Sequence, residues 1–284
     1  SHSGQAGQYS RAAQTLAMDI ARSLYGSFDW ESAPFSHWHW PVFGVAAYLT
    51  SVVALSVGMQ TRKAFSLKMV TAAHNFLLSA GSLVMLCGTA FELQRRWAMS
   101  GRFDWFFCEH ASTQARGPLY FWSYVYYISK YYEMLDTTLV LLQKSRVPSF
   151  KLQVYHHAAV VPVAWLWCQQ RQSLQWGGLL FNTFVHVIMY QYYAWRVMGW
   201  PTPWKKWITK VQIAQFVSSF FLSCVTAWFL LSKESGETCA GMPAFLCNIA
   251  FNLTLLPQFL AVDRRNQGAP GKAEPNGSAK AKHS

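Results

Sequence analysis

Seven long apolar segments follow one another along the chain, separated by short polar stretches. Each is about as long as the roughly 20 apolar residues that cross a bilayer as a helix. Trp and Tyr residues crowd several of their ends, as they do at membrane interfaces. The pattern predicts an all-α membrane protein with seven transmembrane helices, at about 41–59, 69–91, 118–143, 150–169, 174–195, 207–231 and 242–262.

The composition supports a membrane protein rather than a soluble one. Charged residues make up 13% of the 284 residues, whereas a soluble domain carries about 25%. The net charge of +12 would suit a nucleic-acid-binding protein. The basic residues, however, lie in short clusters between uncharged apolar runs, as in a polytopic membrane protein. The composition therefore indicates the lipid bilayer as a partner and argues against nucleic acid.

Lysine and arginine are distributed unevenly over the segments that connect the predicted helices. The connections 60–68, 144–151 and 196–210 and the C-terminal tail hold most of them. Because basic residues are retained on the cytosolic side, this excess predicts a lumenal N-terminus and a cytosolic C-terminus.

The predicted helices and their orientation divide the chain into three parts. Residues 1–37 form a lumenal segment, 38–262 the seven-helix domain, and 263–284 a disordered cytosolic tail rich in Gly, Pro, Ala and Lys. Lys280 and Lys282 resemble a dilysine signal, which predicts a multi-pass protein of the endoplasmic reticulum membrane.

The third apolar segment carries three charged side chains and a threonine beside them. Lys130, Glu133, Asp136 and Thr137 lie on one helical face by their spacing. Charge inside a membrane is costly and usually functional. Lys130 and Glu133 are spaced as an i,i+3 ion pair, whereas Asp136 has no obvious partner on its own helix.

Further polar residues occur in the fourth, fifth and sixth segments. With the predicted orientation, Asp136, His156, His186 and Gln212 all fall in the cytosolic half of the membrane. Residues placed only for packing would have no reason to share a depth, so we predict a functional site there.

Three kinds of chemistry fit buried histidines in a membrane protein. Di-iron oxidation needs about eight ligands, yet only His156, His157 and His186 of the nine histidines share this depth. No metal site is therefore expected. A seven-helix transporter or receptor is the second alternative. The third is acyl transfer, because a neutral imidazole attacks thioesters and forms a reactive acyl-imidazole.

Four motifs between residues 130 and 215 resemble the very-long-chain fatty acid elongase family. Span three matches that family's KxxExxDT, and Gln153 to His157 matches its HxxHH box with Gln in first place. The residues from Asn182 to Tyr193 match NxxxHxxMYxYY, and those from Thr209 to Gln215 match TxxQxxQ. His74 and Asn75 also fit. The resemblance covers roughly residues 40–262.

The resemblance implies a 3-oxoacyl-CoA synthase, the condensing enzyme of fatty acid elongation. Its substrates would be a long-chain acyl-CoA and malonyl-CoA, and its products a 3-ketoacyl-CoA two carbons longer, CO₂ and CoA. It implies six helices in a closed ring around an acyl tunnel, with the first helix outside. No cofactor is implied. The ketoacyl reductase, dehydratase and enoyl reductase of the elongation cycle are implied partners, and self-association stays open.

The motifs also assign roles to individual residues. The catalytic histidines would be His156, His157 and His186, with His156 as nucleophile. Direct condensation, with histidine acting only as a base, is the rival mechanism. Supporting residues would be Gln153, Lys130, Glu133, Asp136, Asn182 and Gln212. Substrate-binding residues would be Met189, Tyr190, Tyr192, Tyr193, Thr209, Gln215, Lys205 and Lys206.

Gln153 also bears on the substrate. A QxxHH box resembles the polyunsaturated fatty acid elongases of algae and other lower eukaryotes. We therefore expect a polyunsaturated C18–C20 acyl-CoA, with a saturated or monounsaturated one as the alternative.

Cys108 and Cys239 are the only two of the six cysteines that fall in predicted lumenal loops. The lumen is oxidising and permits disulfides. We predict a bond between them at the closed end of the ring.

Overall fold

The computed structural model describes residues 25–147, 149–232 and 238–268. Within these ranges the regular structure is helical, with two isolated β-bridges and no strand. Two single-turn 3₁₀ helices, Trp30–Ser32 and Asp104–Phe106, lie in connections. The α-helices are α1 (His39–Gly58), α2 (Lys68–Ser100), α3 (Pro118–Glu133), α4 (Leu135–Leu142), α5 (Phe150–Gln169), α6 (Gln175–Met198), α7 (Lys205–Leu231) and α8 (Met242–Gly268).

The bounds of these helices follow the predicted segments closely, with two extensions. Helix α2 continues to Ser100, nine residues past its predicted end, until Gly101 adopts a left-handed conformation at φ 65°. A glycine in this conformation is a common helix stop. Helix α8 continues to Gly268, so the predicted tail is helical over its first six residues. Lys280, Lys282 and residues 1–24 lie outside the described ranges.

The third predicted span is divided into α3 and α4 at Met134. The Met134 amide donates to the Tyr131 carbonyl, three residues back, and the Thr137 amide donates to the Met134 carbonyl. These tighter turns interrupt the regular i−4 ladder. The break separates Glu133 from Asp136, so that Glu133 faces α6, whereas Asp136 faces α2 and α5 as well as α6.

The helices place apolar side chains outward and charges inward, as expected in lipid. Helices α1, α2, α7 and α8 are each long and apolar enough to cross a membrane. They carry large exposed apolar residues such as Phe43, Phe91 and Phe221, whereas Lys130 and Glu133 on α3 are 1% exposed. The chain is therefore a helical membrane protein.

Helix packing gives α3 a central position for the site. Helix α3 contacts α2, α5 and α6; α2 also packs along α6; α7 contacts α6 and α8; and α8 contacts α5. Helix α1 packs against α4 and α5. The polar faces of α3, α5 and α6 are thereby brought together.

A cross-linked cap covers one end of the bundle. The predicted pair, Cys108 and Cys239, forms a disulfide with its Cα atoms 4.9 Å apart. Next to it, Arg96 donates two hydrogen bonds of 2.6 and 2.8 Å to the Glu109 carboxylate. The Ala240 amide donates to the Glu109 carbonyl. The segment before α3 is therefore fastened to the start of α8.

Candidate active site

The predicted ion pair in α3 is present and buried. Lys130 Nζ lies 2.7 Å from Glu133 Oε1 and donates a further 3.1 Å hydrogen bond to Asn182 Oδ1 on α6. The ammonium also sits 4.0 Å from the centre of the Tyr126 ring, and the Tyr126 hydroxyl donates to the same Asn182 oxygen at 3.0 Å. Breaking a buried pair such as this leaves an uncompensated charge. The hydrogen bond from Lys130 to Asn182 extends this constraint from α3 to α6.

Glu133 links this pair to the histidine on α6. His186 Nδ1 lies 3.5 Å from Glu133 Oε1, and the Ser129 hydroxyl donates to the same oxygen at 3.3 Å. Glu133 Oε2 is buried and has no hydrogen-bond partner among the described residues. The carboxylate therefore orients the His186 ring and keeps one oxygen available.

Side chains from three other helices converge on Asp136 of α4. Its Oδ1 lies 2.7 Å from His74 Nε2 on α2, and the Tyr190 hydroxyl on α6 donates to its Oδ2 at 2.8 Å. His157 Nε2 on α5 approaches Oδ2 to 3.8 Å. The sequence of α4 offers Asp136 no obvious partner, and neighbouring helices supply its partners instead. These contacts fix the carboxylate beside the His156–His157 pair.

His156 has a different environment from the other histidines. Its ring stacks on Phe251 of α8 with centroids 6.0 Å apart, and it packs edge-on against His157 at 5.5 Å. Its Nδ1 is buried without a hydrogen-bond partner among the described residues, and so is the Nδ1 of His157. The other ring nitrogen of His157, however, lies 3.8 Å from Asp136 Oδ2. A carboxylate partner within ion-pair distance is found for His157 and His186. An imidazole nitrogen that is not engaged by a neighbour can act as a nucleophile.

The predicted substrate-binding residues, together with Gln153 and Gln212, divide into two groups. Met189 and Gln212 meet, with Gln212 Nε2 3.3 Å from Met189 Sδ, and Tyr193 packs 6.3 Å from the Tyr190 ring. Tyr192 is buried and accepts a hydrogen bond from Arg196. Of this first group, Tyr193 is exposed and Met189 and Gln212 are half-buried. The remaining predicted residues lie farther from the cluster's contacts. Lys205 and Lys206 are exposed in the first turn of α7, Thr209 accepts a hydrogen bond from Asn266, and Gln153 and Gln215 are half-buried.

Sequence reasoning did not assign roles to three residues that hold the cluster. Tyr126 lies four residues before Lys130 and so extends the polar face of α3, a signal that could have found it. His74 was noted only as fitting the family. Tyr48 on α1, whose hydroxyl lies 2.8 Å from Thr137 Oγ1, gives no sequence signal because its position depends on how α1 packs.

Within the described ranges, no three His, Cys, Asp or Glu side chains converge as metal ligands. The expectation that the protein works without a bound cofactor stays a prediction.

Comparison with known proteins agrees with the motifs in these helices. Fatty acid elongase sre1 of Dictyostelium discoideum is 34% identical over 241 residues, covering 81% of this chain and 88% of that protein. Fatty acid elongase A of the same organism is 29% identical over 219 residues, covering 75% and 78%. Fatty acid elongase 4 of Trypanosoma brucei brucei is 29% identical over 241 residues, covering 83% and 87%. The model of the ELO (GNS1/SUR4) family matches residues 33–262, and the chain belongs to this family.

Proposed function

We propose that the protein is a fatty acid elongase that condenses a long-chain acyl-CoA with malonyl-CoA. The observation that carries this proposal is the unengaged Nδ1 of His156 beside two histidines that are held by carboxylates. A neutral imidazole and neighbouring acid–base groups are what acyl transfer from a thioester requires. Membership of the ELO family and the names of its relatives agree with this chemistry.

The reaction proceeds in two stages on His156. The imidazole attacks the acyl thioester, the C–S bond breaks, and CoA leaves with a proton, so that the acyl group is bound to nitrogen. Malonyl-CoA then loses CO₂, and its carbanion attacks the acyl carbon. The C–N bond breaks as the leaving nitrogen takes up a proton, which releases the 3-ketoacyl-CoA and restores the neutral imidazole.

The surrounding residues serve these two stages. His157 and His186, each near a carboxylate, transfer protons to and from the leaving groups and stabilise the enolate of decarboxylated malonyl-CoA. Asn182 and Gln212 donate hydrogen bonds to developing oxyanions. Lys130, Glu133 and Asp136 hold these histidines and amides in position. The tyrosines of α6 and the basic start of α7 contact the substrate.

Intact-mass measurement tests the covalent stage directly. The purified protein is incubated with acyl-CoA and without malonyl-CoA, and we expect one acyl adduct on His156 together with free CoA. His156→Ala should lose both the adduct and condensation, while His110→Ala, in a connection remote from the site, should keep both. Condensation without any adduct would support direct attack, and neither adduct nor product would favour a transporter or receptor.

We also propose a polyunsaturated C18–C20 acyl chain as the substrate. Support comes from Gln153, one helical turn before His157 and half-buried, which can donate and accept a hydrogen bond where the family motif has His. Yeast that expresses the protein is fed linoleic, γ-linolenic and saturated acids. Elongation of saturated chains alone would refute the preference, and Gln153→His tests whether this residue sets it.

The acyl chain would occupy a tunnel inside a ring of α2, α3–α4, α5, α8, α7 and α6, with α1 outside. The neighbour contacts support this order, because each of these elements packs against the next and α6 returns to α2. The disulfide supports a lumenal position for its end of the bundle. On this proposal the N-terminus is lumenal, the C-terminus is cytosolic, and the protein works in the endoplasmic reticulum with the other enzymes of the elongation cycle.

A further inference from the structure

An open groove lies on the side of α4 that faces α1, away from the carboxylate and histidine cluster. It encloses about 530 Å³ between the end of α1, the end of α4 and the start of α5. Thr137, which bonds to Tyr48 of α1, is one turn from the groove on the same side of α4. Five of the ten residues that line the groove are apolar: Met59, Val140, Leu141, Val147 and Phe150.

Two cations stand at the rim of this apolar groove. Lys144 and Arg146 line it and are both exposed. None of the ion pairs among the described residues involves either side chain. The Lys144 ammonium donates to the carbonyl of Gln60 at 3.4 Å, which holds it over the groove. No lining residue is acidic.

The turn that presents these cations is well defined. Lys144 adopts φ 52°, its amide donates to the Leu141 carbonyl, and the Ser145 amide donates to the Val140 carbonyl. This is the Schellman arrangement that ends helices. The Phe65 amide also donates to the Leu142 carbonyl, so the end of α4 is fixed from a second side. The backbone that carries Lys144 is therefore fixed before any ligand binds.

We propose that this groove binds an anionic glycerophospholipid of the surrounding bilayer. The lipid phosphate contacts Lys144 and Arg146, and one acyl chain lies along the apolar wall formed by α1, α4 and α5. A small free anion would leave the partly exposed apolar wall uncovered, and a zwitterionic lipid would bring its own cation beside the two basic side chains. This site is separate from the proposed elongase chemistry and does not depend on it.

Native mass spectrometry of the delipidated full-length protein tests the proposal. The protein is titrated with dioleoylphosphatidylserine or with dioleoylphosphatidylcholine, and bound lipids are counted. A Lys or Arg side chain that contacts an anionic headgroup strengthens lipid association by roughly fivefold. We therefore expect Lys144→Gln/Arg146→Gln to weaken phosphatidylserine binding about 25-fold. Lys63→Gln removes a charge at the same end without lining the groove and should change binding less than twofold.

A second variant tests the groove without changing its charge. Its result does not depend on whether Lys144→Gln/Arg146→Gln folds stably. Ser56→Trp fills the groove from α1 and should also weaken phosphatidylserine binding. Equal binding of the two lipids, or phosphatidylserine binding by either variant as tight as by the wild type, would overturn the proposal. Displacement of the lipid by added coenzyme A would instead make the groove part of the acyl-CoA entrance and would also overturn it. Binding of inorganic phosphate with no effect of Ser56→Trp on lipid binding would identify an anion site that does not need a lipid chain, and would overturn the proposal as well.

Discussion

His74 Nε2 and Asp136 Oδ1 lie 2.7 Å apart, although the two residues are separated by 62 positions in the chain. The contact joins α2 to α4 at the carboxylate that also receives the Tyr190 hydroxyl and approaches His157. Asp136 is therefore held by His74 on one oxygen and faces the proposed catalytic histidines with the other.

Removal of this contact should lower the rate of condensation rather than the affinity for substrate. We expect His74→Leu to reduce kcat about tenfold to 100-fold, because small displacements of a catalytic group have effects of this size. His74→Gln keeps an N–H donor and should recover much of the loss. Both are measured with acyl-CoA and radiolabelled malonyl-CoA.

Asn75→Ala is the matched control for His74. Asn75 is buried in the same turn and donates to the Thr71 carbonyl of its own helix. A rise in KM with unchanged kcat in His74→Leu, or equal losses in the control, would contradict a positioning role.

The buried ion pair of α3 should respond asymmetrically to substitution. Lys130→Met leaves Glu133 charged and uncompensated, which costs about 3–5 kcal/mol of stability. The double variant Lys130→Met/Glu133→Leu removes both charges and should regain most of that stability but stay inactive, because His186 loses its carboxylate. Thermal unfolding in detergent and the condensation assay measure the two effects. An active double variant would show that the pair only stabilises the bundle.

Two glycines on α2 provide a matched test of helix packing. A Cβ atom at Gly88 would collide with the Trp122 ring of α3, whereas a Cβ at Gly81 meets nothing within 4 Å. Gly88→Ala should therefore cost about 1–3 kcal/mol, and Gly81→Ala should be neutral or slightly stabilising through helix propensity. The difference between their unfolding temperatures is the measurement, and equal temperatures would mean that α2 and α3 do not pack this closely.

Loss of the disulfide should destabilise the folded protein. The bond closes a loop across 131 residues, and removal of such a link costs about 2–5 kcal/mol. Cys108→Ser/Cys239→Ser and reduction of the wild-type protein should lower the unfolding temperature equally. Cys87→Ser, at an exposed free thiol on α2, should leave it unchanged. A double variant as stable as the wild type would mean that the cap does not need the bond.

Local patterns were sufficient to predict most helices and the ion pair of α3. The bounds of α5 agree with the apolar segment at 150–169, and the spacing of Lys130 and Glu133 places them together on any helix. The partner of Asp136 could not be predicted, because it comes from α2 and depends on how α2 packs against the break at Met134. That break has no proline or glycine to signal it, and the role of Tyr48 likewise depends on tertiary packing.

The bond between Cys108 and Cys239 also determines what happens to a chain that is cut. Residues 109–238 include α3 to α7 and therefore every residue to which we assign a catalytic role. Lys144 and Arg146 are exposed sites for trypsin in the connection between α4 and α5. A single cut there produces two fragments that stay one covalent molecule until a reducing agent is added. The fragments on either side of the cut therefore stay paired, and the cut molecule migrates as one species until it is reduced.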